Sequence, residues 1–120
     1  REFDLVTCVP MHKDTLRKRG YNQAELLAKE CARLLGIEYA DLLAKTKKNK
    51  TQHSIKAAER AKNVIGVYSP IDKNLIKGKR ILIIDDIITT GSTLGECARI
   101  LNKCKCGEIC CCTLCTSLLI

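Results

Sequence analysis

The sequence predicts an α/β fold in which helices flank a parallel β-sheet. The β-branched run Ile81–Ile84 is typical of a central parallel strand buried on both faces. Apolar residues at helical spacing run from Tyr21 to Leu35 and again from Leu94 to Leu101. Strands that alternate with helices in this way favour a parallel sheet with right-handed crossovers. At 120 residues, we expect one domain covering residues 1–120.

The first half of the chain predicts a strand, an irregular stretch and a helix. The apolar run Leu5–Val9 ends at Pro10 and indicates a buried strand. The segment Lys13–Gly20 is basic, and we expect it to have no regular secondary structure. The helix predicted from Tyr21 ends at Gly36. Its apolar stripe consists of residues that recur at helical spacing: Ala24, Leu27, Ala28, Cys31, Leu34 and Leu35.

The middle of the chain is less regular. Leu42–Ala44 suggests a short second strand, and Lys45–Asn63 is expected to be a mobile loop. Alternating residues Val64, Gly66 and Tyr68 indicate an edge strand.

The last third is the clearest part. After Lys77–Lys79 comes the strand Ile81–Ile84, and Thr93 with Glu96 has the spacing of a capping box at the start of a helix. Gly107 then leads into a final strand, Ile109–Cys115.

The formal net charge of +8 is concentrated in one segment. From Lys45 to Lys62 there are seven basic residues against Glu59, so six of the eight excess charges lie there. Such a patch suits an anionic ligand. Single-strand nucleic-acid binders add aromatic stacking residues, and none lies in this segment, so small phosphates are favoured over DNA. No stretch predicts a membrane span or a secretory signal, and we expect a soluble protein.

Nine cysteines, an odd number, predict reduced thiols in a cytoplasmic protein. The cysteine-rich end contains Cys-x-Cys and Cys-x-x-Cys steps that resemble metal-ligand spacings. Because neighbouring residues of a strand point to opposite faces, Cys110, Cys111 and Cys112 would not converge on one ion. Packing as small apolar residues in the core is therefore favoured over metal binding.

Two adjacent acids and a hydroxyl-rich turn form the motif that carries the chemistry. Asp85 and Asp86 follow the central strand, where ligands of parallel sheets collect, and can accept hydrogen bonds from vicinal ribose hydroxyls. The turn Thr89–Thr93 opens a helix, and Gly91 lets its backbone amides approach a phosphate closely. Neither the lysine of a Walker loop nor three spaced glycines are present. The plain alternative is that the acids end a strand and Thr93 caps a helix.

At ILIIDDIITTGST the chain resembles a type I phosphoribosyltransferase. The flanking runs CVPMHKDTLRKRGYNQAELLA and TQHSIKAAERAKNVIGVY resemble the ComF family of competence-associated proteins over nearly the whole chain. The resemblance implies a Rossmann-like parallel sheet, incomplete in this chain, that binds 5-phosphoribosyl 1-pyrophosphate and serves nucleotide metabolism. ComF proteins usually carry an upstream zinc-binding cysteine cluster, which this chain lacks. A homodimer is left open.

The resemblance also implies roles for individual residues. Asp85 and Asp86 would bind the ribose hydroxyls, and no protein residue would hold a metal directly, because Mg²⁺ would be carried mainly by the pyrophosphate. The 5′-phosphate loop would be formed by Thr89, Thr90, Gly91, Ser92 and Thr93. The pyrophosphate would be approached by Met11, His12, Lys13, Arg17 and Arg19. The flap over the site would include Lys47, Lys48, Gln52 and Arg60. Asn22 and Gln23 belong to a family run whose roles the motif does not fix.

Three functions remain open from the sequence. The first is ribosyl transfer with release of pyrophosphate to an unknown acceptor, with flap and loop cations meeting the charge on the leaving group. The second is a module that senses a phosphoribosyl compound or nucleotide without catalysis. The third is single-stranded DNA binding during DNA uptake. For Arg17 and Arg60, a solvated surface position is the alternative to contact with the ligand.

Overall fold

The computed structural model describes residues 2–46, 66–88 and 92–116. The strands in these residues are β1 Leu5–Cys8, β2 Glu38–Tyr39, β3 Leu43–Lys45, β4 Tyr68–Pro70, β5 Arg80–Ile88 and β6 Glu108–Thr116. The helices are α1 Lys13–Arg19, α2 Gln23–Leu35, α3 Lys73–Ile76 and α4 Ser92–Lys103. None of the helices in the described segments has the length and apolar character needed to cross a bilayer.

The main sheet has four strands in the order β2-β1-β5-β6, and every neighbouring pair is parallel. β3 and β4 form a separate antiparallel pair. The predicted α/β class and the central position of the Ile81–Ile84 run, which lies in β5, are therefore confirmed. The final strand is also confirmed, with β6 one residue longer at each end than predicted.

The core lies on both faces of β1 and β5, because consecutive side chains of a strand alternate between faces. On one face, residues such as Leu5, Ile81 and Ile83 belong to a buried cluster with Leu94 and Leu101 of α4. The buried cluster on the other face combines residues of β1 and β5 with alanines of α2: Val6, Cys8, Leu82, Ile84, Ala24, Ala28 and Ala32.

Helix α2 packs on most of the predicted stripe, since Ala24 and Ala28 are buried and Leu27 and Cys31 pack against their cluster, but the C-terminal end of the stripe differs. Ala24, Ala28 and Ala32 are its buried residues, whereas Leu34 is 69% and Leu35 is 52% exposed. Small side chains every fourth residue place the helix against the sheet and rotate the two leucines into solvent. The predicted stop is confirmed, since Gly36 adopts a left-handed conformation with φ of 67°.

The prediction that Lys13–Gly20 is irregular is wrong, because α1 occupies residues 13–19. The side chain of His12 caps its first turn by accepting a hydrogen bond from the Asp14 amide, at 3.1 Å. Gly20 ends it with a left-handed φ of 84°. No residue of α1 is buried, so the helix lacks the apolar periodicity on which sequence reasoning depends.

The region around the two short strands differs in detail from the prediction. β2 was not predicted, and β3 lies one residue later than Leu42–Ala44. Gly66 belongs to a turn before β4, which begins only at Tyr68. The rest of the predicted mobile loop, beyond Thr46, and Val64 lie outside the described residues.

The helix predicted to start near Thr93 is confirmed, but the predicted capping box is wrong. α4 begins at Ser92, so Thr93 lies inside the helix. Glu96 is buried; its carboxylate accepts a hydrogen bond from the Gly66 amide at 3.2 Å and pairs with Arg99 at 2.7 Å. Glu96 therefore ties α4 to the turn before β4 through a tertiary contact that its spacing from Thr93 does not reveal.

The expectation that the C-terminal cysteines pack in the core is wrong for Cys110, Cys111 and Cys112, which are exposed. In the described part of the chain β6 is an outer strand, and the buried clusters centre on β1 and β5. The link into β6 is tight, because a Cβ on Gly107 would lie 2.9 Å from the carbonyl oxygen of Gly78.

Candidate functional site

The two acids lie within β5, beyond the end of its neighbour β1. The last β1 residue, Cys8, is opposite Ile84, whereas Asp85 pairs on its other side with Thr113 of β6. The sequence suggested that the strand stops at Ile84, but it continues to Ile88. The acids are accessible because β1 turns away at this level, which opens the carboxyl edge of the sheet.

A cavity of about 230 Å³, here called the carboxylate cavity, lies at this edge. It brings together residues from the β1–α1 loop, α1, the start of α2, β3, β4, β5 and α4. Its lining consists of Val9, Pro10, Met11, His12, Thr15, Arg19, Asn22, Gln23, Lys45, Tyr68, Asp85, Asp86 and Thr93. The acids, the β1–α1 loop and the first turn of α4 thus meet, as the sequence predicted.

Burial raises the pKa of the Asp85 carboxyl above its usual range, and a hydrogen bond with the Asp86 side chain raises it further. The Asp86 amide opposes this change by donating to Asp85 Oδ1 at 2.9 Å. Two adjoining carboxylates in a partly buried position repel each other when both are ionised. A ligand that donates hydrogen bonds, or a cation, would relieve that repulsion.

Cationic side chains line the same cavity as the acids. Lys45 Nζ lies 5.9 Å from the ring centroid of Tyr68, and burial lowers the pKa of this lysine. Arg19 also lines the cavity, with its guanidinium 5.6 Å from the centroid of the Tyr21 ring. The cavity therefore contains carboxylates that can accept hydrogen bonds from hydroxyl groups and cationic side chains that can bind an anion.

The predicted phosphate loop is described only in part. Thr89, Thr90 and Gly91 lie outside the described residues, and Ser92 is the first residue of α4. Thr93 lines the cavity, so the N-terminal turn of α4 lies beside it. Burial raises the pKa of the Tyr68 hydroxyl, against a hydrogen bond with the Thr93 side chain that lowers it. Tyr68 of β4 and Thr93 of α4 both line the cavity.

The residues predicted to approach the pyrophosphate are distributed unevenly. Met11, His12 and Arg19 line the carboxylate cavity, whereas Lys13 lines an adjoining cavity of about 510 Å³. The side chain of Arg17 is 74% exposed and pairs with Asp14 at 3.5 Å, outside the lining of both cavities. The predicted flap residues Lys47, Lys48, Gln52 and Arg60 lie outside the described residues.

The two cavities form one cleft, because they have five lining residues in common: Pro10, Met11, His12, Asn22 and Lys45. The larger one extends towards Glu25 and Asp41 and has an apolar wall that includes Leu43 and Ile71. In the described segments, no group of three His, Cys, Asp or Glu side chains is arranged to hold a metal ion.

Sequence reasoning missed several residues of the site. Thr15 was overlooked because α1 was taken as irregular; four residues before Arg19, it lies on the same helical face. Lys45 was assigned to a loop and Tyr68 to an edge strand, and only the pairing of β3 with β4 brings them to the acids.

The model of the family described as phosphoribosyl transferase domain matches residues 22–118. Solved structures share the fold. The glutamine phosphoribosylpyrophosphate amidotransferase of B. subtilis covers 94% of this chain and 22% of its own, with TM-score 0.62 and 22% identity. A purine phosphoribosyltransferase of Pyrococcus horikoshii covers 96% and 61%, with TM-score 0.58 and 20% identity.

Sequence relatives add a finer resemblance. Competence protein F of Haemophilus influenzae is 36% identical over 108 residues, covering 88% of this chain and 47% of the relative. Competence protein ComFC of Streptococcus pneumoniae is 32% identical, covering 86% and 43%. The DNA utilization protein YhgH of Escherichia coli is 30% identical, covering 83% and 44%. The chain therefore belongs to the phosphoribosyl transferase domain family, in its ComF-type branch. It spans about half the length of these relatives.

Proposed function

We propose that the carboxylate cavity binds 5-phosphoribosyl 1-pyrophosphate and that the protein transfers its ribosyl group with release of pyrophosphate. One observation carries the proposal: Asp85 and Asp86 share a cavity with the first turn of α4 and with the β1–α1 loop. The acids would accept hydrogen bonds from the ribose 2′ and 3′ hydroxyls, and the helix N-terminus would hold the 5′-phosphate.

Displacement of pyrophosphate from C1 develops positive charge on the ribose ring and negative charge on the leaving group. Fixing the ring and neutralising the leaving group lowers the barrier. The acids lie on the hydroxyl side, and His12, Arg19 and Lys45 are the described groups that would face the anion. His12 accepts the Asp14 amide through Nδ1, so in the neutral ring its proton is on Nε2 and is available for donation.

Mg²⁺ fits this donor set. Magnesium in phosphate-binding sites is held by one or two carboxylates together with substrate phosphates, and the cavity offers Asp85 and Asp86. We propose that Mg²⁺ would be carried mainly by the pyrophosphate, near Asp85 and Asp86, and would supply positive charge to balance the leaving group.

The names of the relatives support a role in the use or uptake of DNA, and we propose such a role for this chain. We also propose a cytoplasmic location. Free thiols support it: the cysteines whose side chains are described, from Cys8 to Cys112, form no disulfide among themselves.

Calorimetry with 5-phosphoribosyl 1-pyrophosphate and Mg²⁺ tests the ligand. We expect saturable binding by the wild type and a loss of at least about 100-fold in the double variant D85N/D86N, because each carboxylate acceptor contributes about 1.5–3 kcal/mol. The control is E108Q, which removes an exposed acid at the opposite end of the sheet and should bind as the wild type does. Equal affinity of wild type and double variant would reject the site.

A turnover assay separates transfer from sensing. Release of pyrophosphate that depends on one member of a panel of bases and amines would identify an enzyme and its acceptor. Tight binding without release for any acceptor would instead identify a module that senses the phosphoribosyl compound.

Single-stranded DNA binding is a second candidate, favoured by one observation. Tyr21 is 45% exposed and stacks with Arg19 next to the basic residues of α1. Such a pair can stack on a base, with a contribution of about 1–3 kcal/mol. We expect affinity for an oligonucleotide that falls steeply with salt and weakens in the Y21A variant. Absence of binding at low salt would remove this candidate.

A further inference from the structure

Asn22 links the N-terminus of α2 to the residue that follows strand β1. It is the N-cap of α2, and its Oδ1 accepts a hydrogen bond from the Ala24 amide at 3.1 Å. Its Nδ2 donates to the carbonyl oxygen of Val9 at 3.2 Å, across thirteen residues of sequence. The residue is buried and lines both cavities. One amide group therefore starts a helix and holds the strand that enters the β1–α1 loop.

The Val9 peptide is held from two directions. Its amide donates to the Ile84 carbonyl at 2.9 Å, immediately before Asp85, and its carbonyl accepts from Asn22. The next residue is Pro10, which has no amide to offer and whose φ is fixed. The path of the chain through Met11 to His12 is consequently set at Val9, and the same contact relates the loop to the acids on β5.

We propose that Asn22 is a positioning residue for the pyrophosphate part of the ligand. Through Val9 it fixes Met11 and His12, which line the same cavity as the acids. The inference rests on the proposed function and deepens it, because it assigns to one buried amide the task of holding the loop in the shape that receives the leaving group.

The side-chain chemistry explains why asparagine suits this position. Serine and aspartate cap helices as well as asparagine does, but aspartate has no donor when ionised and serine is shorter. Of these capping residues, only asparagine joins an acceptor for the Ala24 amide to a donor that reaches the Val9 carbonyl. Replacing it by either residue separates the two roles while keeping the cap.

The experiment compares N22S and N22D with wild type in calorimetry, using inorganic pyrophosphate with Mg²⁺ and, separately, ribose 5-phosphate. We expect both variants to bind pyrophosphate about ten-fold more weakly and ribose 5-phosphate within about two-fold of wild type, because only the loop loses a hydrogen bond. Agreement between the neutral and the charged replacement excludes an effect of the added charge. The matched control is D72S, which makes the same kind of cap replacement at α3, outside both cavities.

Amide hydrogen exchange supplies a readout that needs no ligand. The Val9 amide, which donates to the Ile84 carbonyl, should exchange faster in N22S than in wild type, with unchanged exchange in the core of β5. Equal weakening for both ligands, or unchanged affinity and exchange, would overturn the role of Asn22 and leave the proposed function standing. A wild type that binds neither ligand would overturn both.

Discussion

The two walls of the carboxylate cavity are held in different ways. On one wall, Asp85 and Asp86 belong to a strand whose backbone is paired with β6 on either side of them, at Ile84 and at Ile87. On the other wall, the β1–α1 loop is held by one backbone bond, from the Val9 amide to the Ile84 carbonyl, and by two side chains, Asn22 at the Val9 carbonyl and His12 at the Asp14 amide. The first wall is positioned by the sheet, and the second by single hydrogen bonds.

This difference indicates that the acids on β5 are held more rigidly than the β1–α1 loop. Many backbone hydrogen bonds between paired strands hold the acids in position. The acids should therefore move only when the sheet itself unfolds. A loop held by single hydrogen bonds can lose its shape while the fold persists. Mutations on the first wall should therefore change stability or the affinity for ribose hydroxyls, and mutations on the second should change local order.

The largest expected effect is a loss of stability caused by a substitution in the core beneath the acids. Ile83, two residues before Asp85, is fully buried in the cluster with α4. The I83A variant should lower the free energy of unfolding by about 2–5 kcal/mol, because it removes three buried carbons and leaves a cavity. Chemical denaturation measures this change. I71A, at a position that is 55% exposed, should change it by less than about 0.5 kcal/mol.

The pH dependence of stability tests the environment of the acids. The pKa of Asp85 is raised in the folded state, so between the ordinary carboxyl pKa and the raised value the folded chain holds a proton that the unfolded chain has released. The free energy of unfolding should then fall as pH rises from about pH 4 to neutral pH. In D85N this fall should be smaller, whereas E108Q should retain it. Equal slopes in wild type and D85N would show that Asp85 titrates normally.

The helix cap on the loop wall should have a moderate and local effect. H12A removes the acceptor for the Asp14 amide and should destabilise α1 by about 0.5–2 kcal/mol. Hydrogen exchange of the α1 amides should accelerate, with exchange in β5 unchanged. H12N retains a capping acceptor and should exchange nearly as wild type does. Acceleration that extends into β5 would mean that the loop and the sheet are one cooperative unit.

The smallest effect concerns Thr7 of β1. Its buried hydroxyl has no hydrogen-bond partner among the described residues. T7V keeps the shape and should stabilise the protein by up to about 1 kcal/mol, because an unsatisfied buried polar group is removed. T46V is the matched control with the opposite sign, since the Thr46 hydroxyl donates to the Val67 carbonyl at 3.0 Å. Thermal melting of both variants measures the contrast.

Prediction from sequence succeeded where local patterns coincide with burial. Ile81–Ile84 predicted the central strand because such a run is stable only between two covered faces. It failed for the C-terminal end of α2, where the predicted stripe included Leu34 and Leu35, because periodicity cannot tell which part of a wide apolar face meets the sheet. It failed for Cys110–Cys112 because an outer strand and a central strand have the same local composition.

For the candidate site, the sequence by itself determined which chemical groups are present. The adjacent acids, the hydroxyl-rich turn and the order of strands and helices follow from residue type and spacing, since carboxylates, small hydroxylated residues and β-branched runs have few alternative uses in that order. Only the tertiary structure decided which residues share the cavity with the acids. Tyr68, Lys45 and Asn22 reach them through strand pairing and through hydrogen bonds between residues distant in sequence, and no local pattern encodes such contacts.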